Sequence, residues 1–414
     1  MKVIALLIAG LAIAAPVGAE PPPVNYIAHE WGTFTSVQGA DGIQMSWNPL
    51  TASELPKFVY DLMRGRACET LNLSKTAFIA RQRMETPVIY FHSDQVFNVD
   101  VDVNFPNGNI TEWYPYGSRP MPAKRGKPLM SWPGVTVIPS GSVEAKGLEA
   151  KLLKESSGSH YYAARKAEAD YISVTNSQGA PEVEKFLFYR GVGDFVAPLQ
   201  VTIPDANNPE LRLENTGDQN LQSLFVVRVG EGLMTITPAG DLAGKANTTA
   251  GMDIPIPIEE GRAKLGIMLR ESLTRAGLTT TEADAMVKTW DDSWFGERGV
   301  RVLYILPQTW ADSILPLKLD PTPNQLVRVF VGRAEVLTPQ VEKALSQAID
   351  RAKPDDLAAR AETVKSIQSL GLGRFLEPAF RRIAQQRPDD RDFSSRGWEL
   401  LAAANQPAPK LTQR

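Results

Sequence analysis

Val99-Asp100-Val101-Asp102-Val103-Asn104-Phe105 alternates apolar and polar residues with a period of two. Successive side chains of an extended chain point to opposite faces, so Val99, Val101, Val103 and Phe105 share the buried face of a strand. Pro106-Asn107-Gly108 follows, and an Asn-Gly pair tolerates the positive φ of a tight turn. Residues 110–114 are therefore expected to return as the hairpin partner. Working outward, short β-type runs separated by Pro, Gly and Asn recur at 135–138, 185–189, 199–203, 211–213, 224–229 and 233–236. Many short strands at this spacing predict an N-terminal β-sandwich-like domain over residues 20–250.

Beyond it the period changes. Leu265, Met268, Leu269, Leu273 and Ala276 recur at three and four residues, and Gly277 supplies a helix stop. Thr279 with Glu282 three residues on has the spacing of a capping box, opening a second helix that runs to about Trp290. Residues 300–306 read as a buried strand closed by Pro307. These elements make residues 251–335 a mixed α/β segment. Thr338-Pro339 then places a capping hydroxyl before a proline at the first helical position, opening a helical region over 336–406 and leaving 407–414 as a disordered tail. The expected fold class is β-rich α+β.

Met1-Lys2, an apolar run from position 3 to 15, and Pro16-Val17-Gly18-Ala19 have the order of a charged start, an apolar stretch and a small-residue cleavage site. Residues 1–19 are expected to be a signal peptide sending the chain to the periplasm or outside the cell. The apolar run is shorter than the roughly 20 residues a spanning helix needs. One cysteine, Cys68, rules out an internal disulfide, so stability rests on the core. A net charge of −3 without a basic block argues against nucleic acid and anionic membranes as partners.

Three histidines occur in the whole chain, His29, His92 and His160, all in the β-rich half and all beside aromatic residues. His29 is followed by Glu30 and Trp31. His92 precedes Asp94, and in an extended segment these two point to the same face, as two ligands of one ion would. His160 lies in Ser159-His160-Tyr161-Tyr162, with Arg165 shortly after. Convergence of His29, His160, His92 and Asp94 on a divalent metal such as zinc would acidify a water near neutral pH. In that hydrolase-type scheme His29, Glu30 and His160 serve as ligands or acid/base groups and Arg165 stabilises developing negative charge. The plain alternative is that each histidine satisfies local hydrogen bonds, and no short-range spacing such as His-Glu-x-x-His supports the metal. A serine-hydrolase elbow, Gly-x-Ser-x-Gly, is absent.

Carboxylates beside aromatic rings recur at Glu30-Trp31, Glu112-Trp113-Tyr114 and Asp291-Asp292-Ser293-Trp294, a combination that stacks on sugars and binds their hydroxyls. This supports a rival expectation: a non-catalytic exported protein that binds a glycan or a protein. A deep polar pocket holding the histidines favours the enzyme, and an exposed aromatic strip favours the binding protein.

His29-Glu30-Trp31-Gly32-Thr33-Phe34-Thr35-Ser36-Val37 resembles a motif of a family of exported bacterial proteins. Glu85-Thr86-Pro87-Val88-Ile89-Tyr90-Phe91, His160-Tyr161-Tyr162-Ala163-Ala164-Arg165 and Phe188-Tyr189-Arg190-Gly191 fit the same likeness. The resemblance implies export and brings no activity, cofactor or site residue with it.

Overall fold

The segment around His29 is a strand. β1 (Tyr26–Gln38) runs thirteen residues with nearly every side chain buried on both faces, which is why it shows no polar alternation. In the computed structural model, which describes residues 24–49, 55–62, 79–118, 129–153, 159–208, 210–352 and 357–404, β1 lies inside a ten-stranded sheet. The expected signal peptide, Cys68 and the expected tail fall outside the described residues.

Across that sheet the order is β15 (Ile256–Pro257), β13 (Leu233–Leu242), β12 (Leu221–Val229), β16 (Gly299–Leu306), β18 (Gln325–Val336), β1, β3 (Gln82–Ser93), β9 (Leu187–Gly193), β5 (Gly108–Tyr114) and β2 (Tyr60–Asp61). β1 pairs in parallel with β18 and antiparallel with β3. A five-stranded sheet has the order β17 (Leu317–Asp320), β4 (Phe97–Val103), β6 (Met130–Ile138), β7 (Tyr171–Thr175) and β8 (Pro181–Glu184). A three-stranded sheet holds β10 (Leu199–Thr202), β11 (Leu211–Asn215) and β14 (Asn247–Ala250). The helices are α1 (Leu148–Leu153), α2 (Ile258–Arg275), α3 (Thr280–Asp291), α4 (Gln308–Ile314), α5 (Pro339–Arg351), α6 (Leu357–Ser369), α7 (Leu376–Gln385) and α8 (Arg391–Ala404), with a 3₁₀ helix at His160–Lys166.

The period of two in β1 sorts its side chains into two cores. Ala28 and Phe34 join Phe330, Tyr304, Val101, Trp132 and Leu213 on the face that meets the two smaller sheets. Trp31 turns to the opposite face, where Val329 and Tyr90 pack with Leu269 of α2 and Ala283 and Met286 of α3. A third cluster unites Val37 and Trp47 with Leu345, Phe380 and Leu401 of the C-terminal helices.

The β-rich α+β class is what the structure shows, with three differences in organisation. The alternating β4 and the following β5 do not form a hairpin, for β4 pairs with β6 and β17 while β5 pairs with β9 and β2. Gly108 opens β5, where a Cβ would stand 2.3 Å from the Phe105 ring, so this glycine serves close packing at the turn. The boundary at residue 250 does not divide the molecule, because β16 and β18 sit between β12 and β1 in one sheet. The first 250 residues are consequently not a self-contained sandwich: one core of the long sheet is closed by helices from the segment assigned to a separate unit.

Gly32 marks a shift of register between Trp31 and Thr33 in the β1–β3 pair. A Cβ there would stand 2.9 Å from the Phe330 ring and 3.1 Å from the Pro87 backbone. Gly32→Ala is expected to cost about 1–3 kcal/mol through overpacking, read as a lower urea midpoint at unchanged slope.

Candidate metal centre

His29 stands opposite Tyr90 in the β1–β3 register, and Ile27 stands opposite His92. His29 and His92 are thus diagonal neighbours on one sheet face, close enough for their side chains to meet. Their ring centroids lie 5.1 Å apart. Both face the layer of helices α2 and α3. Gly277, with φ +115, ends the turn after α2 and lets the chain pass close to Val327 before α3 begins. Thr279 then caps α3, its hydroxyl accepting from the Glu282 N–H at 3.2 Å while the Thr279 N–H donates to Glu282 Oε2 at 2.9 Å. This reciprocal bonding fixes the Glu282 side chain at the helix start, directed onto the two histidines.

Glu282 is fully buried. Its Oε2 lies 2.8 Å from His29 Nδ1 and its Oε1 lies 3.0 Å from His92 Nε2. An ionised carboxylate only accepts, so both of these ring nitrogens carry the proton when no cation is bound. Burial raises the Glu282 pKa, but the hydrogen bonds from His29 and His92, the His29 charge and the Thr279 amide outweigh it and hold the group at about 2. A depressed carboxylate pKa stabilises the fold above its unfolded value near 4.5, and that stability is lost as pH falls towards 2. For the metal-free protein the contribution is about 3 kcal/mol. Between pH 6 and pH 2 urea unfolding should show a loss about 3 kcal/mol larger in the wild type than in Glu282→Gln, in which Glu112 and the other depressed carboxylates still titrate.

The three candidate ligand atoms lie within 4.8 Å of one another. At metal–ligand distances of about 2.0–2.1 Å the edge of a tetrahedron is about 3.3 Å, so the two histidine contacts, which go to different oxygens of Glu282, open by a few tenths of an ångström and the widest separation closes by roughly 1.5 Å when one oxygen serves both. Two imidazoles and one carboxylate suit zinc and the other borderline divalent transition metals. The Thr279 amide on Oε2 is the type of outer contact that orients a ligating carboxylate. His92 keeps 25% of its side chain exposed while His29 and Glu282 are closed off, so the site opens to solvent on the His92 side.

The other residues expected at this site are elsewhere. Glu30 follows His29 on a strand and so points to the opposite face, where the Tyr189 hydroxyl and Arg328 Nε (2.6 Å) donate to it. Arg328 is held further by Asp312 at 2.7 Å and the Leu315 carbonyl at 2.8 Å. That cluster holds the sheet from within. Arg165 is bound to Glu184 at 2.7 Å and to the Leu152 carbonyl, with its guanidinium 4.8 Å from the Tyr162 ring centroid. His160 opens a seven-residue 3₁₀ helix capped by Ser159. It is the far end of this segment that approaches the site, through the Glu168 N–H donating to Thr281 Oγ1 at 3.0 Å. At about 2 Å of rise per residue, His160 stands on the order of 12 Å or more from that contact. Asp94 is exposed just past the end of β3, where the chain bends and the same-face geometry lapses. Asp170 occupies that strand end instead, accepting from the Ser93 N–H at 2.6 Å and the Ser140 N–H at 2.9 Å. Among the described residues the ligand set is His29, His92 and Glu282, without His160 or Asp94.

The tryptophans named for sugar stacking are also closed. Trp31 and Trp294 are fully buried and Trp113 nearly so, and Glu112 is paired with Arg190 at 2.9 Å. None of these rings presents a face to a ligand. Among the described residues no helix is long and apolar enough to cross a membrane.

No protein-family model matches this chain, and no curated protein is similar to it. The chain is similar to the yeast delta-COP-I mu-homology domain, at 9% identity and a TM-score of 0.25, covering 77% of this chain and 98% of that one. It is similar to the same domain complexed with Dsl1 WxWxV peptide, at 7% identity and a TM-score of 0.28 with the same coverages. At TM-scores this low the likeness carries no argument about fold or function.

Proposed function

We propose that this chain is an exported metal-dependent hydrolase whose metal is held by His29 Nδ1, His92 Nε2 and a Glu282 carboxylate oxygen. The observation that carries the reading is the convergence of two of the chain's three histidines on one buried carboxylate with a side open to solvent. Three protein ligands and an open position are the arrangement of catalytic rather than structural sites. A divalent ion held there supplies Lewis-acid chemistry and acidifies a water to near neutral pH. The chain's own groups do the rest: the capping box presets the Glu282 rotamer, the β1–β3 register presets the imidazoles, and the helix layer keeps water from the inner side. The order of residues 1–19 supports export to the periplasm or the exterior.

The test is turnover by the purified mature protein, stripped with a chelator and reloaded with Zn²⁺ or Mn²⁺, on carboxylic esters, phosphoesters and peptides. The expected result is hydrolysis in one of these classes that disappears on stripping, returns on reloading, and is lost in His92→Ala. Stoichiometric metal without turnover in any class would overturn the hydrolase and leave a metal-binding protein without catalysis.

A further inference from the structure

Helices α2 and α3 are tied together on their outer side by two ion pairs. Arg262 Nη2 binds Asp291 and, at 3.1 Å, Asp292. Arg270 Nε lies 3.3 Å from Asp284. At 1.5 Å of rise per residue the two arginines stand about 12 Å apart along α2. Between them lies a pit of about 560 Å³, inside the range of about 300–1,000 Å³ usual for small-molecule sites. Gly266 of α2, Val287 of α3 and Phe295 just past α3 form its apolar floor, and half-exposed Ile267 and exposed Lys288 stand at its sides.

A glycine inside a helix costs about 1 kcal/mol relative to alanine. Gly266 lies in the middle of α2 with no positive φ, and a Cβ there would meet Arg270 Nη1 at 3.6 Å, Val287 Cγ1 at 3.8 Å and Phe295 Cε2 at 3.9 Å, all ordinary contacts. Neither the backbone conformation nor the packing of the two helices requires the glycine. Its effect is to keep the floor low. The same distances bring the end of the Arg270 guanidinium and the edge of the Phe295 ring together over that floor.

Two cations reach the pit without an anion of their own inside it. Arg270 turns Nε to Asp284, and its terminal nitrogens have no acceptor among the described residues. Lys288 makes no ion pair among the described residues. Of the carboxylates in the walls, Asp291 is bound by Arg262, and Glu259 stands in the first turn of α2, beyond that pair. Two cations above an apolar floor favour a carboxylate carried on an apolar body, because charge-assisted bonds are stronger than neutral ones and the body is withdrawn from water. The Phe295 edge, the positive part of a ring quadrupole, favours an aromatic body placed edge-to-face on it.

We propose that this pit is a binding site for an aromatic carboxylate, its headgroup between Arg270 and Lys288 and its ring on Gly266 and Phe295. The site lies on the outer side of the helix layer, is distinct from the histidine centre and does not depend on it.

2-Naphthoate is the probe, titrated calorimetrically into the full protein, with 2-naphthamide as its uncharged counterpart. The expected result is saturable one-to-one binding of naphthoate, with the amide weaker by about tenfold or more. Lys288→Met keeps the apolar stem at an exposed helix position and removes the charge. It is expected to weaken naphthoate by about tenfold and leave the amide unchanged. Gly266→Leu is expected to block both by filling the floor, with circular dichroism confirming the fold of each variant. Absence of saturable naphthoate binding to the wild type would overturn the proposal, and so would equal affinity for naphthoate and naphthamide, a comparison that requires no variant. Unchanged naphthoate affinity in folded Lys288→Met or folded Gly266→Leu would overturn it as well.

Discussion

Glu282→Gln is expected to lower the affinity for Zn²⁺ by about 10²–10³-fold while leaving the fold in place. Apparent binding energies of about 10–16 kcal/mol for structural zinc, shared among four ligands, put one ligand at roughly 2.5–4 kcal/mol. Glutamine keeps the shape of glutamate, and its carbonyl oxygen still accepts from the Thr279 N–H, so the cap of α3 survives. It cannot ionise, and its amide is a poor ligand for a borderline metal. Glu282→Ala keeps the Thr279 hydroxyl bond to the backbone N–H but removes the carboxylate half of the capping box and the acceptor of both imidazoles, and is expected to destabilise the protein by several kcal/mol in addition. Competitive chelator titration reads the metal affinity of each variant and urea unfolding its stability, where the metal-free glutamine variant should lose the roughly 3 kcal/mol of the ionised carboxylate and the alanine variant more. Wild-type affinity in Glu282→Gln would remove the carboxylate from the ligand set.

The second large effect is expected on the opposite sheet face. Arg328→Met leaves the fully buried Glu30 carboxylate with the Tyr189 hydroxyl as its remaining side-chain donor among the described residues. Taking one partner from a buried ion pair costs about 3–5 kcal/mol, since the other charge stays desolvated. The double variant Glu30→Gln with Arg328→Met should recover part of that loss. Metal affinity should not change in either, because Glu30 and His29 project from opposite faces of β1. A loss below about 1 kcal/mol, or a change in metal affinity matching that of Glu282→Gln, would contradict the assignment of Glu30 to the internal ion pair.

Strands with one wet face were legible from sequence, because their polar residues reveal the period. In β4, Asp100 is exposed and Asp102 half-exposed while the valines are buried, as the alternation predicts. β1, β3 and β18 are buried on both faces, and a run without polar alternation gives no period to read. That gap had a consequence at the site. Once residues 26–38 are known to be extended, His29 and Glu30 must point apart, and strand geometry alone excludes their partnership. The hairpin at Asn107-Gly108 failed for another reason: sheet membership is decided by long-range packing, which a turn dipeptide does not record.

The site itself was half legible. The scarcity of histidine and the direction of His92 were visible, and so was the Thr279 and Glu282 cap, which the structure shows complete. What no local pattern conveys is that the capping glutamate also bonds two histidines 253 and 190 positions away. A capping-box glutamate ordinarily faces water. His160 enters by residue type and Asp94 by its two-residue spacing from His92, and the 3₁₀ segment and the bend after Ser93 carry them elsewhere.

The most direct test of the centre is an anomalous-difference map, recorded at the zinc absorption edge, from crystals of the protein grown with Zn²⁺. The account predicts a peak about 2.0–2.2 Å from His29 Nδ1, His92 Nε2 and a Glu282 carboxylate oxygen. A map with no peak between those three atoms, with Glu282 still hydrogen-bonded to both imidazoles, would contradict it.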